Sequence, residues 1–320
     1  MEDRIFIIGA GAVGRVLAVF LKRAGREVVL LRGSVDGLAA TTETVQVAFP
    51  DGTELEAEVD IATLSHFPAL DGLVVLTSKS YGNEGLARSL GGKIGRSPVV
   101  LLQNGLGVEK PFVEAGFPEV YRCVLFTTSQ TVSDTRLSFK PVAVSPVGIV
   151  RGNEPTLNRV VETLRNPHLT FRAEADIRTV SWKKAVTNCV FNSICPLLEV
   201  DNGIFHRSPE VLALARRVIG ECVEVANAAG VALNADEVTE SLLLISRSSD
   251  GQLISTLQDI RNGRPTEIET LNLEVARVAE SLNLGHRVSQ TRLLGELTKL
   301  KSDLSRTAQP ASGIIPPEGF

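Results

Sequence analysis

The stretch RIFIIGAGAVG, residues 4–14, limits the fold more than any other part of the chain. A short apolar run ends in Gly9-x-Gly11-x-x-Gly14, and apolar residues then recur at helical spacing through Val13, Leu17, Phe20 and Leu21 until Gly25. Strand, turn and helix in that order are the context a dinucleotide-binding loop requires. Gly9 permits the tight turn, Gly11 lets a pyrophosphate approach the backbone, and Gly14 lets the helix pack on the strand. The helix start at Ala10, Ala12 and Val13 offers backbone N–H groups and the positive end of a dipole to phosphates. The alternative is a glycine-rich turn with a purely structural role.

The α/β pattern continues. EVVLLR ends at Arg32, where an NAD-preferring protein usually carries an acid for the ribose hydroxyls. A guanidinium there suits a 2′-phosphate and points to NADP, against the alternative of a solvated arginine at a strand end. VQVAF and ELEAEV flank Pro50-Asp51-Gly52 as a hairpin, and LVVLTS and PVVLLQ read as buried strands. Ser78-Lys79-Ser80 and Gln103-Asn104-Gly105 follow those strands, so Lys79 and Asn104 lie where parallel sheets take ligands. Asn104-Gly105 is equally a plain turn signal.

The helix SWKKAVTNCVFNSICP, residues 181–196, carries Lys184, Asn188 and Asn192 at i, i+4 and i+8, within about 80° of its surface. Its other faces are apolar, which marks a buried helix. Burying an unsatisfied amide costs roughly 2–7 kcal/mol, against a total stability of roughly 5–15 kcal/mol. Such a row either faces bulk water or lines a wet cleft whose ligand supplies the missing partners.

Strand patterns cease at Ala175. Ser208-Pro209 caps a helix that stops at Gly230. Thr266-Glu267-Ile268-Glu269 reads as a capping box opening a helix with Ile268, Leu271, Val275, Val278 and Leu282 on its apolar face. The division is an NADP-binding domain over 1–174, a helical substrate domain over 175–307 and a loose tail over 308–320. An interdomain cleft is the expected place for a small-molecule site.

With 43% apolar and 22% charged residues and a net charge of −4, the chain is ordinary for a soluble protein and shows no general affinity for nucleic acid or acidic membranes. The start lacks a secretory pattern, and no run approaches the ~20 apolar residues of a membrane span, so a cytoplasmic protein is expected. Cys123, Cys189, Cys195 and Cys222 show no CxxC spacing and the four histidines no paired spacing, which leaves no metal site to propose.

With IIGAGAVG, TSKS, LLQNGLGVE, WKKAVTNCVFNSICPLLEVDNG, FHRSPEVLALARRV and STLQDIRNGRPTEIETLN in this order, the chain resembles the ketopantoate reductases (2-dehydropantoate 2-reductases) from about residue 3 to residue 305. The resemblance implies a Rossmann-type N-terminal domain and an all-helical C-terminal domain like that of 6-phosphogluconate dehydrogenase. It implies NADPH-dependent reduction of ketopantoate to (R)-pantoate in pantothenate and coenzyme A biosynthesis. In that family the lysine matching Lys184 is the general acid. The residues matching Asn188, Asn192, Asn202 and Ser255 contact substrate, and Asn104 matches one that contacts both substrate and cofactor. Lys79 matches a cofactor contact, Val132 falls near another, and Glu267 matches a glutamate associated with the cofactor and the catalytic lysine. By its position alone, Glu267 is also an ordinary carboxylate in a first helical turn.

Two departures, Asn272-Leu273 and Val288-Ser289, lie away from the contact positions, so altered packing rather than lost catalysis is expected. A same-scaffold reductase of another small 2-oxo acid and a non-catalytic NADP(H)-binding redox sensor are the rival readings. A homodimer is left open.

Overall fold

The computed structural model describes residues 4–33 and 35–308, so the tail expected over 308–320 lies outside the described residues from residue 309 on. Two compact units divide at Ser181/Trp182. The division falls inside a helix whose first turn, with Ile177 against Gly148, still belongs to the first unit.

The first unit holds strands β1 (Arg4–Ile8), β2 (Glu27–Leu31), β3 (Thr41–Ala48), β4 (Glu54–Ala62), β5 (Leu73–Leu76), β6 (Val99–Leu101), β7 (Val120–Cys123), β8 (Thr127–Thr131), β9 (Arg136–Pro141), β10 (Ser145–Arg151) and β11 (Phe171–Ala173). Its helices are α1 (Ala12–Arg23), α2 (Asn83–Gly91), α3 (Lys110–Glu114) and α4 (Glu154–Thr163). The strands form one sheet in the order β11-β10-β7-β6-β5-β1-β2-β4-β3-β9-β8. From β7 through β4 every pairing is parallel, as a doubly wound fold requires. β1 lies between β2 and β5, so the strand order reverses beside its carboxyl end.

Burial explains the pattern. β5 and β6 are buried along their whole length, as strands covered on both faces must be. In β1 the alternation places Ile5 and Ile7 with Val16, Leu17 and Phe20 of α1, while Phe6 and Ile8 join Leu86 and Leu90 of α2 and Phe112 of α3 on the opposite face. The expected hairpin forms, with β3 and β4 antiparallel and Ala48 opposite Glu54.

The second unit takes in α5 (Ile177–Leu198) from Trp182 on and continues with α6 (Ile204–Arg207), α7 (Pro209–Ala228), α8 (Ala235–Ser248), α9 (Ser255–Arg261), α10 (Asn272–Ser281) and α11 (Ser289–Ala308). Ser208 Oγ accepts from the Val211 amide at 3.2 Å with Pro209 in the first turn, as the sequence indicates. The capping box at Thr266 does not form. Residues Ile268–Thr270 make a 3₁₀ turn, Leu271 leaves helical geometry at φ −114° and ψ −107°, and α10 starts only at Asn272. The Glu269 carboxylate, which a capping box needs at the helix start, instead accepts from Arg277 at 3.1 Å. Ile268, Leu271 and Val275 are buried all the same.

α11 has an inverted pattern. Thr291, Thr298 and Ser302 are buried, whereas Leu293, Leu297, Leu300 and Leu304 are 42–67% exposed. Its start is fixed from α7, because Glu221 Oε2 accepts from the Thr291 amide at 2.8 Å and the Thr291 hydroxyl at 2.7 Å.

Phe20 is fully buried, with its ring centroid 4.8 Å from Phe139 in an edge contact and 5.0 Å from His168. Burial, reinforced by Arg23, holds the His168 imidazole below its ordinary pKa. Phe20→Ala leaves a cavity under α1, and a destabilisation of about 3–5 kcal/mol is expected in guanidinium unfolding.

Candidate active site

In the first unit the glycine loop is shaped by close approach. Gly9 adopts φ 123°, and a Cβ there would strike the Ser78 backbone nitrogen. A Cβ on Gly14 would strike the Gly9 carbonyl oxygen and come within 2.6 Å of Thr77 Oγ1. These contacts pin the first turn of α1 beneath the turn that leaves β1, and Thr77 Oγ1 donates to Gly9 O at 2.9 Å.

Gly11 has nothing within 4 Å of where a Cβ would stand. It is the N-cap of α1 and forms no side-chain cap, and the first turn carries no acidic residue. The first backbone bond into α1 runs from the Arg15 amide to Gly11 O at 3.0 Å, so the amides of Ala12, Val13 and Gly14 precede the intrahelical ladder. Ala10, Ala12 and Val13 are half-buried. The open cradle and uncapped amides fit a pyrophosphate.

Arg32 follows β2 directly, and its amide bonds Ala62 O at 2.9 Å. Its side chain is partly buried and meets Glu43 at 3.4 Å. Lys79 is half-buried just before the 3₁₀ turn Ser80–Gly82.

Asn104 is half-buried in a loop braced by residues that sequence reasoning did not single out. Gln103 Nε2 donates to Ser78 O at 2.8 Å and to Asn83 Oδ1 at 2.7 Å. Asn83 Nδ2 returns a bond to Gln103 Oε1 at 2.8 Å, and the buried Arg122 donates from Nη2 to Gly105 O at 2.9 Å. The loops after β5 and β6 are thereby joined. The available signal was the charge of Arg122 inside the otherwise uncharged strand VYRC. Val132 is exposed beside the β8–β9 turn, and its amide bonds Arg136 O at 2.9 Å.

In the second unit α5 presents the expected row. Lys184 and Asn188 are half-buried and Asn192 is buried. Asn192 is held on two sides, since its Oδ1 accepts from Thr256 Oγ1 at 2.6 Å and its Nδ2 donates to Asn188 O at 3.0 Å. Thr256, the neighbour of the expected Ser255, is thus a positioning residue that the sequence did not announce. Ser255 itself is exposed at the first position of α9. Two hydroxyls of α5 bond its own backbone: Thr187 to Lys183 O at 3.0 Å and Ser193 to Cys189 O at 2.6 Å. Burial pushes the Cys195 thiol up to about 12 and raises Cys189 well above its ordinary value, so both thiols stay protonated and unreactive.

Asn202 is buried, its amide bonds Gln252 O at 2.9 Å, and its Oδ1 is a buried acceptor without a hydrogen-bond partner among the described residues. Glu267 is buried immediately before the 3₁₀ turn, and its carbonyl accepts from the Thr270 amide and hydroxyl, each at 3.1 Å. Next to Asn202, both oxygens of Asp201 accept from Arg207 Nη2 at 2.8 Å. Arg207, the largest cause, and the Gly203 and Gly251 amides hold the Asp201 carboxyl below its ordinary range against the opposing effect of burial. A lowered carboxyl pKa adds stability above its unfolded value that is lost as pH falls through the folded value. Asp201→Asn is therefore expected to melt below the wild type at pH 7, with the gap closing as pH falls below about 4.

The family described as Ketopantoate reductase PanE/ApbA matches residues 5–142, and Ketopantoate reductase PanE/ApbA C terminal matches residues 176–300. The 2-dehydropantoate 2-reductase of Pyrococcus horikoshii is 26% identical over 304 residues, spanning 94% of this chain and 98% of that protein. Among solved structures, a D-mandelate dehydrogenase with NADH and anilino(oxo)acetate has a TM-score of 0.82 at 22% identity over 94% of this chain and 99% of its own. The dimeric ketopantoate reductase of Staphylococcus aureus has a TM-score of 0.78 at 18% identity, again over 94% and 99%. At these identities the structural likenesses establish the fold.

Proposed function

Because the chain belongs to the ketopantoate reductase family, we propose that it is an NADPH-dependent oxidoreductase reducing 2-dehydropantoate to (R)-pantoate, in pantothenate and coenzyme A biosynthesis. The observation that carries this reading is the row Lys184, Asn188 and Asn192 on α5, with Asn192 locked by Thr256.

The cofactor is assigned to the first unit. Gly9, Ala10, Gly11, Ala12, Val13 and Gly14 form its phosphate cradle, Arg32 takes the 2′-phosphate, and Lys79, Asn104 and Val132 complete the set. The bound nicotinamide supplies a hydride to the keto carbon. Lys184 acts as general acid: its ammonium stabilises the charge developing on the carbonyl oxygen and delivers a proton to it, so that C=O becomes CH–OH. Asn104, Asn188, Asn192 and Ser255 hold the substrate oxygens. The unpartnered Asn202 Oδ1 suits a substrate hydroxyl, since a buried acceptor gains most from a donor that arrives with the ligand. Glu267 is assigned to the cofactor and to the catalytic lysine.

A second reading is a reductase of another small 2-oxo acid, favoured by the D-mandelate dehydrogenase of TM-score 0.82. No described helix is long and apolar enough to cross a membrane, and a cytoplasmic location is part of the proposal.

Initial rates of NADPH oxidation with 2-dehydropantoate and a panel of 2-oxo acids decide between the readings. Preferred turnover of 2-dehydropantoate is expected. A better rate with another acid favours the second reading, and cofactor binding without turnover of any acid would make the protein a sensor. Lys184→Ala is expected to lower kcat by about 10²–10⁴ with NADP+ affinity unchanged in calorimetry, and near-normal turnover removes Lys184 from the mechanism.

A homodimer belongs to the same proposal, supported by the dimeric S. aureus relative and by the exposed leucine row of α11. Sedimentation equilibrium is expected to give twice the 34.3 kDa chain mass, shifting towards the monomer in Leu297→Glu.

A further inference from the structure

Arg32 does not stand alone. Glu43, in β3, meets Arg32 Nη2 with its Oε1 at 3.4 Å and Arg15 Nη2 with its Oε2 at 3.0 Å. Arg15 rises from the first turn of α1, and its other nitrogens are fixed as well. Nε donates to Ala10 O in the glycine loop and Nη1 to Asp134 O in the β8–β9 turn, each at 3.1 Å. The side chains of Arg15, Arg32 and Glu43 are 16%, 24% and 28% exposed, so these charges are screened less than a surface pair.

Topology places the cluster. Thr41 opposes Ile61 across the β3–β4 pair, and the Arg32 amide bonds Ala62 O, so the start of β3 lies at the carboxyl end of β2. Other acids there are engaged elsewhere. Asp36 Oδ1 accepts from the Gly37 amide at 2.9 Å and the Ser65 amide at 3.0 Å, and Asp60 pairs with Lys22 at 3.0 Å.

We infer that Glu43 is a specificity-determining residue for the dinucleotide: an internal anion that competes with a 2′-phosphate for Arg32 and so sets how strongly the phosphorylated cofactor is preferred. The inference rests on the reading of Arg32 as the 2′-phosphate residue. A 2′-phosphate carries roughly −1.5 to −2 charges and suits a guanidinium better than one carboxylate does, but it must take Arg32 from Glu43 and then sit near that carboxylate. The longer 3.4 Å contact is the one that must yield, while Arg15 retains Glu43 through the shorter one. An unphosphorylated ribose requires no such exchange.

The test is calorimetric binding of NADP+ and NAD+ to the wild type, Glu43→Gln, Arg32→Ala and the double variant, which reads affinity independently of turnover. Glu43→Gln is expected to tighten NADP+ about tenfold and leave NAD+ within about twofold, and the gain should vanish in the Arg32→Ala background. Unchanged NADP+ affinity in Glu43→Gln, with Arg32→Ala weakened, overturns the role of Glu43 and leaves that of Arg32 standing. Unchanged NADP+ affinity in Arg32→Ala overturns the reading of Arg32 and this inference with it. Weakened NAD+ binding in Glu43→Gln would make Glu43 a ribose ligand and likewise overturn the competition.

Discussion

The close approach of α1 to the end of β1 is the constraint from which the first unit is built. No side chain fits at Gly14, because the Gly9 carbonyl and Thr77 hydroxyl fill the space. Backbone contact at that point aims the uncapped N-terminus of α1 past the carboxyl end of β1, where the strand order reverses. The exposure of those backbone amides is thus a consequence of packing. The same turn fixes Arg15 through Ala10 O, and Arg15 holds Glu43. One steric requirement therefore extends from the glycine loop to the charges around Arg32.

Polar bracing does the corresponding work elsewhere. Asn104 sits on a loop held by a reciprocal amide pair, Gln103 with Asn83, and by a buried guanidinium, Arg122. In the helical unit, Thr256 fixes Asn192 by a single short hydrogen bond. Each arrangement spends internal hydrogen bonds on fixing one polar side chain or its loop, which removes rotamer freedom. Asn202 is the contrasting case, a buried oxygen without a partner among the described residues.

Much of this was legible in the sequence where the signal is local. The glycine loop, the β3–β4 hairpin, the buried strands β5 and β6, the Ser208 cap and the row along α5 each depend on spacing within a few residues. The capping box at Thr266 failed because Glu269 is drawn to Arg277, eight residues on and not part of the motif. α11 escaped because its buried face is made of small and polar residues while Leu293, Leu297, Leu300 and Leu304 face outward, the reverse of the pattern by which amphipathic helices are recognised. Thr256, Gln103, Asn83 and Arg122 were missed for a related reason, since each matters through a partner distant in sequence.

By itself, the sequence determined the class of fold, the position of the glycine loop and the row of ammonium and amides on α5, because backbone sterics and side-chain periodicity act over one turn or one strand. Only the tertiary structure decided which polar groups are satisfied and by what. The fixing of Asn192 by Thr256, the orphaned oxygen of Asn202 and the carboxylate of Glu43 set against Arg15 and Arg32 all depend on residues brought together across strands and helices, which linear spacing does not encode.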